Sequence, residues 1–522
     1  MSIFTKVAVN KIKHNTFDLS HERKFNGGMG GLIPCFLAET VPNDTFRIAT
    51  SQLVRFAPLV APVMHKFSVY THFFFVPHRI LWDNWEDFIN GGEDGEADPT
   101  FPTIEIDNEP VGSLQDYLGL PSGISSGPIQ VSALPLAAYH RIWNEYYRDQ
   151  NIQQDQSDNV ALQDGPQGGS VSNNLKTMQL RAWQHDYFTS ALPWTQRGPE
   201  ATVPLGTEAA LKFDYDAGTP SQIRNAAGGS PWTTDNFMGS ENSAYGYTVM
   251  DPDDPSPSQV AIDNSGQMYA DLSSATASSI NDLRRAFRLQ EWLELNARGG
   301  ARYNETIKVH FGISPGDARL QRPEFIGGSS TPVVISEVLQ TSSASNEPTP
   351  QGNMAGHGVS VGGKNTVKYT CREHGYIIGL MSVMPKSAYQ QGIPKHWNKF
   401  DRFDYFWKSF ANIGEQPVIN KEIYISEDGE NDDIFGYVPR YAEYKYINDS
   451  VHGAFRTTLD HWHAGRIFSG RPKLNGAFIQ CMPGEVDRIF AVTDLNNEQF
   501  YVQMHHKVKA RRPMPYFGMP TI

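Results

Sequence analysis

A mainly β chain, a β-sandwich or jelly roll with long inserted loops and a few helices, is the fold class this sequence predicts. Three observations carry it. Apolar, β-branched and aromatic runs recur from one end of the chain to the other, each bounded by Gly, Pro, Asn or Asp. The 45 Gly and 34 Pro among 522 residues indicate many turns and irregular connections. Only two segments carry a clear helical period, and they do not alternate with the strand runs as a doubly wound sheet would require.

The expected elements follow in chain order. "GLIPCFLAET" reads as a strand, and the run from Phe67 to Val76 as a buried strand that Pro77 stops. In "LPLAAYHRIWNEYYRD", Leu136, Tyr139, Trp143 and Tyr146 keep one helix face. "SSINDLRRAFRLQEWLELNARGG" is a second helix, with Ser279 and Asp282 as a capping-box candidate and Gly299 as its stop. "NETIKVHFGIS", "TPVVISEVLQ", "YIIGLMSVM" and "DRIFAVTD" are further strand candidates. The final run, "EQFYVQMHHKVKARRP", alternates: Phe500, Val502, Met504, His506 and Val508 share one face, and Tyr501, Gln503, His505, Lys507, Lys509 and Arg511 the other. One face of this strand is apolar and one basic.

Charge is distributed unevenly. The formal net charge is −13, which argues against a general nucleic-acid binder. From Ala201 to Ile280, however, ten acidic residues face only Lys212 and Arg224, a local net of −8. This Gly-, Ser- and Pro-rich window reads as a solvent-facing insertion, folded because Trp232, Phe237, Tyr245, Tyr247 and Met250 supply apolar anchors. The ends have the opposite sign: residues 1–25 net +3, and the last 22 residues hold Lys507, Lys509, Arg511 and Arg512 with no acid.

A search for catalytic chemistry finds little. Neither GxSxG nor a phosphate-binding GxxxxGK[ST] occurs, and "NGGMGG" precedes a strand pattern, which makes it a loop or bulge. Cys35, Cys371 and Cys481 are far apart and odd in number, as in a reduced compartment without a disulfide framework. Cys371 and His374 are close in sequence, but that spacing alone makes no catalytic dyad. Asp253 and Asp254, in the polar window, read as hydrated solubilising groups. "LDHWH" places His461 and His463 two apart, yet no third ligand stands nearby, so hydrogen bonding to backbone is the better reading and neither metal nor cofactor is expected. The N-terminus lacks a signal-peptide pattern, and no run reaches the ~18 apolar residues of a membrane span.

Several segments are more specific: "FFFVPHRILWDNWEDFI", "DYFTSALPWTQRG", "RYNETIKVHFGISPGDARLQRPEFIGG", "HGYIIGLMSVMPKSAY", and "PVINKEIY" through "FGYVPRYAEYKY". With "LDHWH" they resemble the major capsid protein of the gokushovirus branch of the microviruses, small icosahedral bacteriophages with circular single-stranded DNA. The resemblance runs from about Asn26 to the C-terminus and weakens in the acidic window. It implies an eight-stranded antiparallel jelly roll of the viral-capsid type spanning residues 1–522, with ~60 copies closing an icosahedral shell and no enzymatic activity. The expected parts are a basic N-terminal arm (1–25), an acidic surface insertion (201–280) that contributes to host attachment, and a basic C-terminal tail (507–522).

On this reading Lys507, Lys509, Arg511 and Arg512, with Lys11 and Lys13, contact packaged DNA phosphates inside the shell. Four such charges plus the N-terminal excess give about 420 positive charges per ~60 copies. Coding for this chain alone takes three nucleotides for each of 522 residues, 1566 phosphates in all. A small basic DNA-packaging protein, polyamines or divalent cations must therefore share the interior. Scaffolding and pilot proteins and a host surface receptor complete the expected partners, without membrane insertion, and assembly is expected in the bacterial cytoplasm. The alternative from another class is a cytosolic jelly-roll sugar-binding or cupin-like metal protein, with its ligands inside one barrel.

Overall fold

The computed structural model describes residues 13–123, 127–199, 201, 280–300, 302–341, 351–492 and 499–517, together with the backbone of short strands between 210 and 271. Two compact units are present, one formed by Met1–Arg197 with Asn296–Ile522, the other by Gly198–Leu295.

The larger unit is built on two antiparallel sheets. Their strands are β1 (Asn15–Asp18), β2 (His21–Gly27), β3 (Ile33–Thr40), β4 (Thr45–Phe56), β5 (Phe67–Pro77), β6 (Glu324–Pro332), β7 (Val334–Leu339), β8 (Met354–Thr370), β9 (Gly375–Pro385) and β10 (Phe500–Arg512). The first sheet runs β1-β10-β4-β8-β7, with β2 continuing the β1 edge along β10; the second runs β6-β5-β9-β3. Strands from the two ends of the chain thus lie side by side, with Asn15 opposite Arg512 and Gly27 opposite Phe500. This is an antiparallel jelly roll. Its sheets hold six and four strands among the described residues, β1 and β2 sharing one edge.

The two sheets differ in what covers them, and the sequence pattern records the difference. The four-stranded sheet is buried on both faces. Phe73 and Phe75 of β5 enter the core between the sheets, whereas Phe74 and Val76 turn to a second cluster with Trp82 and Tyr139. That is why "FFFV" is continuously apolar. Its outer cover is α1 (Leu134–Ile142), which passes into a π-helical turn at Trp143–Tyr147 and buries Leu136, Tyr139 and Ile142. Each large side chain buried here contributes about 1.5–3 kcal/mol. Among the described residues, the six-stranded sheet is covered on its inner face only. Its long strands alternate strictly: Phe46, Ile48, Val54 and Phe56 of β4 are buried while Arg47, Ser51 and Arg55 are exposed.

Two expected strands are otherwise. "NETIKVHFGIS" forms the helix α3 (Tyr303–Phe311), which follows α2 (Ile280–Gly299). Glu305 at its third position accepts the Arg302 backbone N–H, and Gly312 closes it in the left-handed region at φ 69°. "DRIFAVTD" makes a 3₁₀ turn at Asp487–Ile489, although Ile489 and Phe490 do reach the core. Ser279, half of the expected capping box, lies outside the described residues.

In the smaller unit the strands nest. Ala210–Phe213 pairs with Met268–Asp271, Ile223–Asn225 with Val260–Ile262, and Met238–Asn242 with Gly246–Asp251, all antiparallel. Among the expected apolar anchors of the window, Trp232, Phe237 and Tyr245 lie outside the described residues.

Buried histidines give the larger unit a pH dependence. His140 Nε2 donates to the Leu175 carbonyl at 3.0 Å, and His506 Nε2 donates to the Cys35 carbonyl at 3.0 Å with Thr50 Oγ1 at 2.9 Å from Nδ1. Burial pushes both imidazoles down to about 4. The unfolded chain takes up these protons near pH 6.5, the folded chain only near pH 4, so their contribution is complete above about 6.5 and lost as pH falls to about 4. Each accounts for up to about 3 kcal/mol. Urea unfolding of dissociated subunits should show that loss, and His140→Gln should flatten the slope; a slope unchanged by the substitution contradicts the assignment.

A candidate nucleic-acid interface

The outward face of the six-stranded sheet is the site that the C-terminal pattern points to. Strict alternation along β10 buries Val502, Met504, His506, Val508 and Ala510, and exposes Gln503, His505, Lys507, Lys509 and Arg511. Pairing then sets their neighbours. Lys509 stands opposite Asp18 of β1 on one side and Arg47 of β4 on the other, and Arg47 stands opposite Lys368 of β8. Directly opposed residues have Cβ atoms about 4.5–5.5 Å apart. One row across four strands therefore reads Asp18, Lys509, Arg47, Lys368: three cations side by side and one acid at the end.

Arg55 and Lys24 extend this face, the first opposite Tyr501 and the second opposite Gln503. Lys24, Arg47, Arg55, Lys368, Lys507, Lys509 and Arg511 are exposed there against the acids Asp18 and Glu22. The two acids are themselves engaged. The Ser20 hydroxyl and N–H hold the Asp18 carboxyl below its ordinary range, with Lys509 and Lys507 adding to the effect. Gln503 and then Lys24 do the same for Glu22. Among the described residues Arg47, Arg55, Lys368, Lys507, Lys509 and Arg511 form no ion pair within 4.0 Å. Neighbouring like charges without ion-pair partners destabilise a sheet, so the arrangement is not explained by the stability of the fold.

The expected site residues are only partly brought together. Lys507, Lys509 and Arg511 lie on the face, and Lys13 is exposed ahead of β1. Lys11 lies outside the described residues. Arg512 does not join them. Its Nε lies 3.2 Å from Oδ2 of the fully buried Asp44, Nη2 donates to the Glu39 carbonyl at 2.6 Å, and its guanidinium stacks 5.3 Å from the Phe46 ring. Arg512 is thus a structural cation, and Arg512→Gln should cost about 3 kcal/mol by stranding a buried carboxylate. A melting curve reads this directly; unchanged stability contradicts the pairing. Arg47, Arg55 and Lys368 escaped the sequence reading, although the alternation in "TFRIATSQLVRF" carries the first two.

The histidine pair lies elsewhere. Asp460–Trp462 is a 3₁₀ turn and not a strand, so His461 and His463 do not share a face. Buried His463 receives the Gly465 N–H on Nδ1 at 3.0 Å and donates from Nε2 to the Phe455 carbonyl at 2.8 Å. Burial lowers its pKa, in keeping with a neutral ring whose two nitrogens are both engaged by backbone. Among the described residues no group of three His, Cys, Asp or Glu is placed to hold a metal ion. The three cysteines are buried, and burial pushes the Cys35 and Cys371 thiols up to about 12, which leaves them unreactive. No described helix is long and apolar enough to cross a membrane.

The jelly roll agrees with what comparison of the whole chain finds. Residues 5–522 match the family model described as capsid protein (F protein). The chain is 36% identical to capsid protein VP1 of Chlamydia phage 1, over 99% of this chain and 97% of the relative. It is 36% identical to capsid protein VP1 of Bdellovibrio phage phiMH2K over 95% of each chain, and 32% identical to that of Spiroplasma virus 4 over 99% and 97%. The fold, the end-to-end match and these relatives together place the chain in the bacteriophage capsid protein (F protein) family, as a structural component of the virion shell.

Proposed function

We propose that the outward face of the six-stranded sheet lines the shell interior and holds packaged single-stranded DNA through its phosphates. The observation that carries this reading is the unbalanced row of Lys509, Arg47 and Lys368. Phosphate contacts of this kind are independent of base sequence and weaken with salt. Lys507 and Arg511 extend the row on the same strand, and Lys11 and Lys13 assist from the N-terminal arm.

The acidic window, residues 201–280, faces outward on this reading, because ten acids held against packaged phosphates would be repelled while the same acids in water cost little. There it contributes to host attachment. Assembly takes place in the bacterial cytoplasm, with ~60 copies per shell and scaffolding and pilot proteins assisting.

Six unpaired cations on the face of each copy, Lys24 being paired with Glu22, give about 360 per ~60 copies, still far short of the phosphates in any genome that encodes the chain. A small basic protein, polyamines or divalent cations therefore share the interior. The test is to dissociate purified DNA-filled particles and weigh cationic content against DNA. A basic peptide or excess polyvalent cation is the expected result; this chain and DNA alone would refute the charge argument.

A further inference from the structure

A second surface of the larger unit is unlike the basic face. Segment 394–414 runs through three 3₁₀ turns, Lys395–Asn398, Arg402–Asp404 and Lys408–Phe410, and shows aromatic rings to solvent. Trp397 is 69% exposed, Phe400 85% and Trp407 50%. The patch continues onto segment 441–447 through Phe406, whose ring lies 4.9 Å from Tyr441 and 6.3 Å from Tyr444.

Hydrogen bonds within the segment hold this surface in place. The Asp404 carboxylate accepts the N–H groups of Phe400 at 2.9 Å and Asp401 at 2.8 Å, and Trp407 Nε1 donates to the Arg402 carbonyl at 2.8 Å. Lys399 lies 2.9 Å from Glu443 and 4.0 Å from the Tyr444 ring centre, and Lys395 is 2.9 Å from Glu422. Lys395 and Lys399 are thus paired within the chain, while Arg402, its guanidinium 5.0 Å from the Phe403 ring centre, and Lys408 are exposed between the rings.

Area decides what does fit. The six aromatic side chains Trp397, Phe400, Phe403, Tyr405, Phe406 and Trp407 are between 46% and 85% exposed. At about 200 Å² for each full aromatic side chain, they show about 700 Å² to water. Even with charged side chains between the rings, that approaches the ~800 Å² each partner buries in a standard interface. We infer that this aromatic face is a contact between copies of this chain, covered by a neighbouring subunit when the shell closes. The inference rests on the shell-forming role and assigns it a surface.

Hydroxyl-radical footprinting with mass spectrometry tests it on dissociated subunits, empty shells and DNA-filled shells. Trp397, Phe400 and Trp407 should be oxidised in subunits and protected in both kinds of shell. Protection only in filled shells would make DNA the occupant, and reactivity undiminished in intact shells would leave the face open to an outside partner; either result overturns the inference. A doubly substituted chain, Trp397→Ser with Phe400→Asp, should keep the subunit circular dichroism spectrum while subunit association weakens at least about thirtyfold, the effect of losing one central aromatic anchor. Unaltered assembly overturns the inference, and if the variant does not fold the footprint decides. Failure of the unaltered chain to form closed particles would overturn the shell-forming role itself.

Discussion

Replacing Lys509, Arg47 and Lys368 together with glutamine is expected to weaken single-stranded DNA binding by dissociated subunits and to flatten its salt dependence. Each phosphate contact on a single strand contributes about 0.7 to the slope of log K against log salt, so removing three lowers it by about 2. In particles the same change should leave closed shells with much less DNA. The substitution should also stabilise the free subunit slightly, by up to about 1 kcal/mol, because three like charges at opposed positions repel one another across β10, β4 and β8. Arg512→Gln supplies the contrast: it should lower stability through Asp44 and leave the slope unchanged. An unchanged slope in the triple variant contradicts the DNA-facing role, whatever happens to stability.

The second large effect is expected at Gly30. Its φ of 78° lies in the left-handed region, and a Cβ there would sit 1.9 Å from the Cys481 carbonyl oxygen. Backbone atoms close the other sides: Gly30 N–H donates to the Val383 carbonyl at 3.0 Å, and the Gly30 carbonyl accepts from Arg181 N–H at 2.7 Å. Three distant segments of chain converge on one glycine. Gly30→Ala should therefore destabilise by more than about 4 kcal/mol and abolish soluble subunits. Gly123→Ala isolates the conformational part, since Gly123 has φ of 67° but nothing within 4 Å of its Cβ position, and should cost about 1 kcal/mol. Equal effects at the two positions would remove the steric argument.

How legible the molecule was depends on where each strand's neighbours lie. The alternation of "EQFYVQMHHKVKARRP" and the continuous apolar run at Phe73–Val76 both announce their strands, because burial on one face or on two writes a distinct pattern. "NETIKVHFGIS" misleads because Ile307, Val309 and Phe311 alternate like a strand face, whereas Glu305 and Gly312 cap a helix. Local capping outweighs β-branching there, and Arg302 fixes the helix start by donating to the carbonyls of Asn144 and Arg148 at 2.8 and 3.2 Å. "DRIFAVTD" misleads differently: its apolar residues are core residues, held by a turn instead of a ladder.

The site was legible along β10 and illegible across it. Sequence spacing shows Lys507, Lys509 and Arg511 on one face, but Arg47 and Lys368 join them only through pairing between segments more than a hundred residues apart. Arg512 shows the converse. It follows Arg511 in the same basic run, yet the end of the strand turns it toward Asp44. Nothing in a one-dimensional pattern distinguishes an exposed, unpaired cation from one that answers a buried carboxylate.

Ultraviolet cross-linking of intact DNA-filled particles, followed by peptide mapping, tests the central claim most directly. Cross-linked nucleotides should fall on peptides from β10 and β4, around Lys507–Arg511 and Arg47–Arg55, and disappear in the Lys509, Arg47 and Lys368 triple variant. Cross-links confined to other segments, with β10 and β4 unmodified in filled particles, would contradict a DNA-facing sheet.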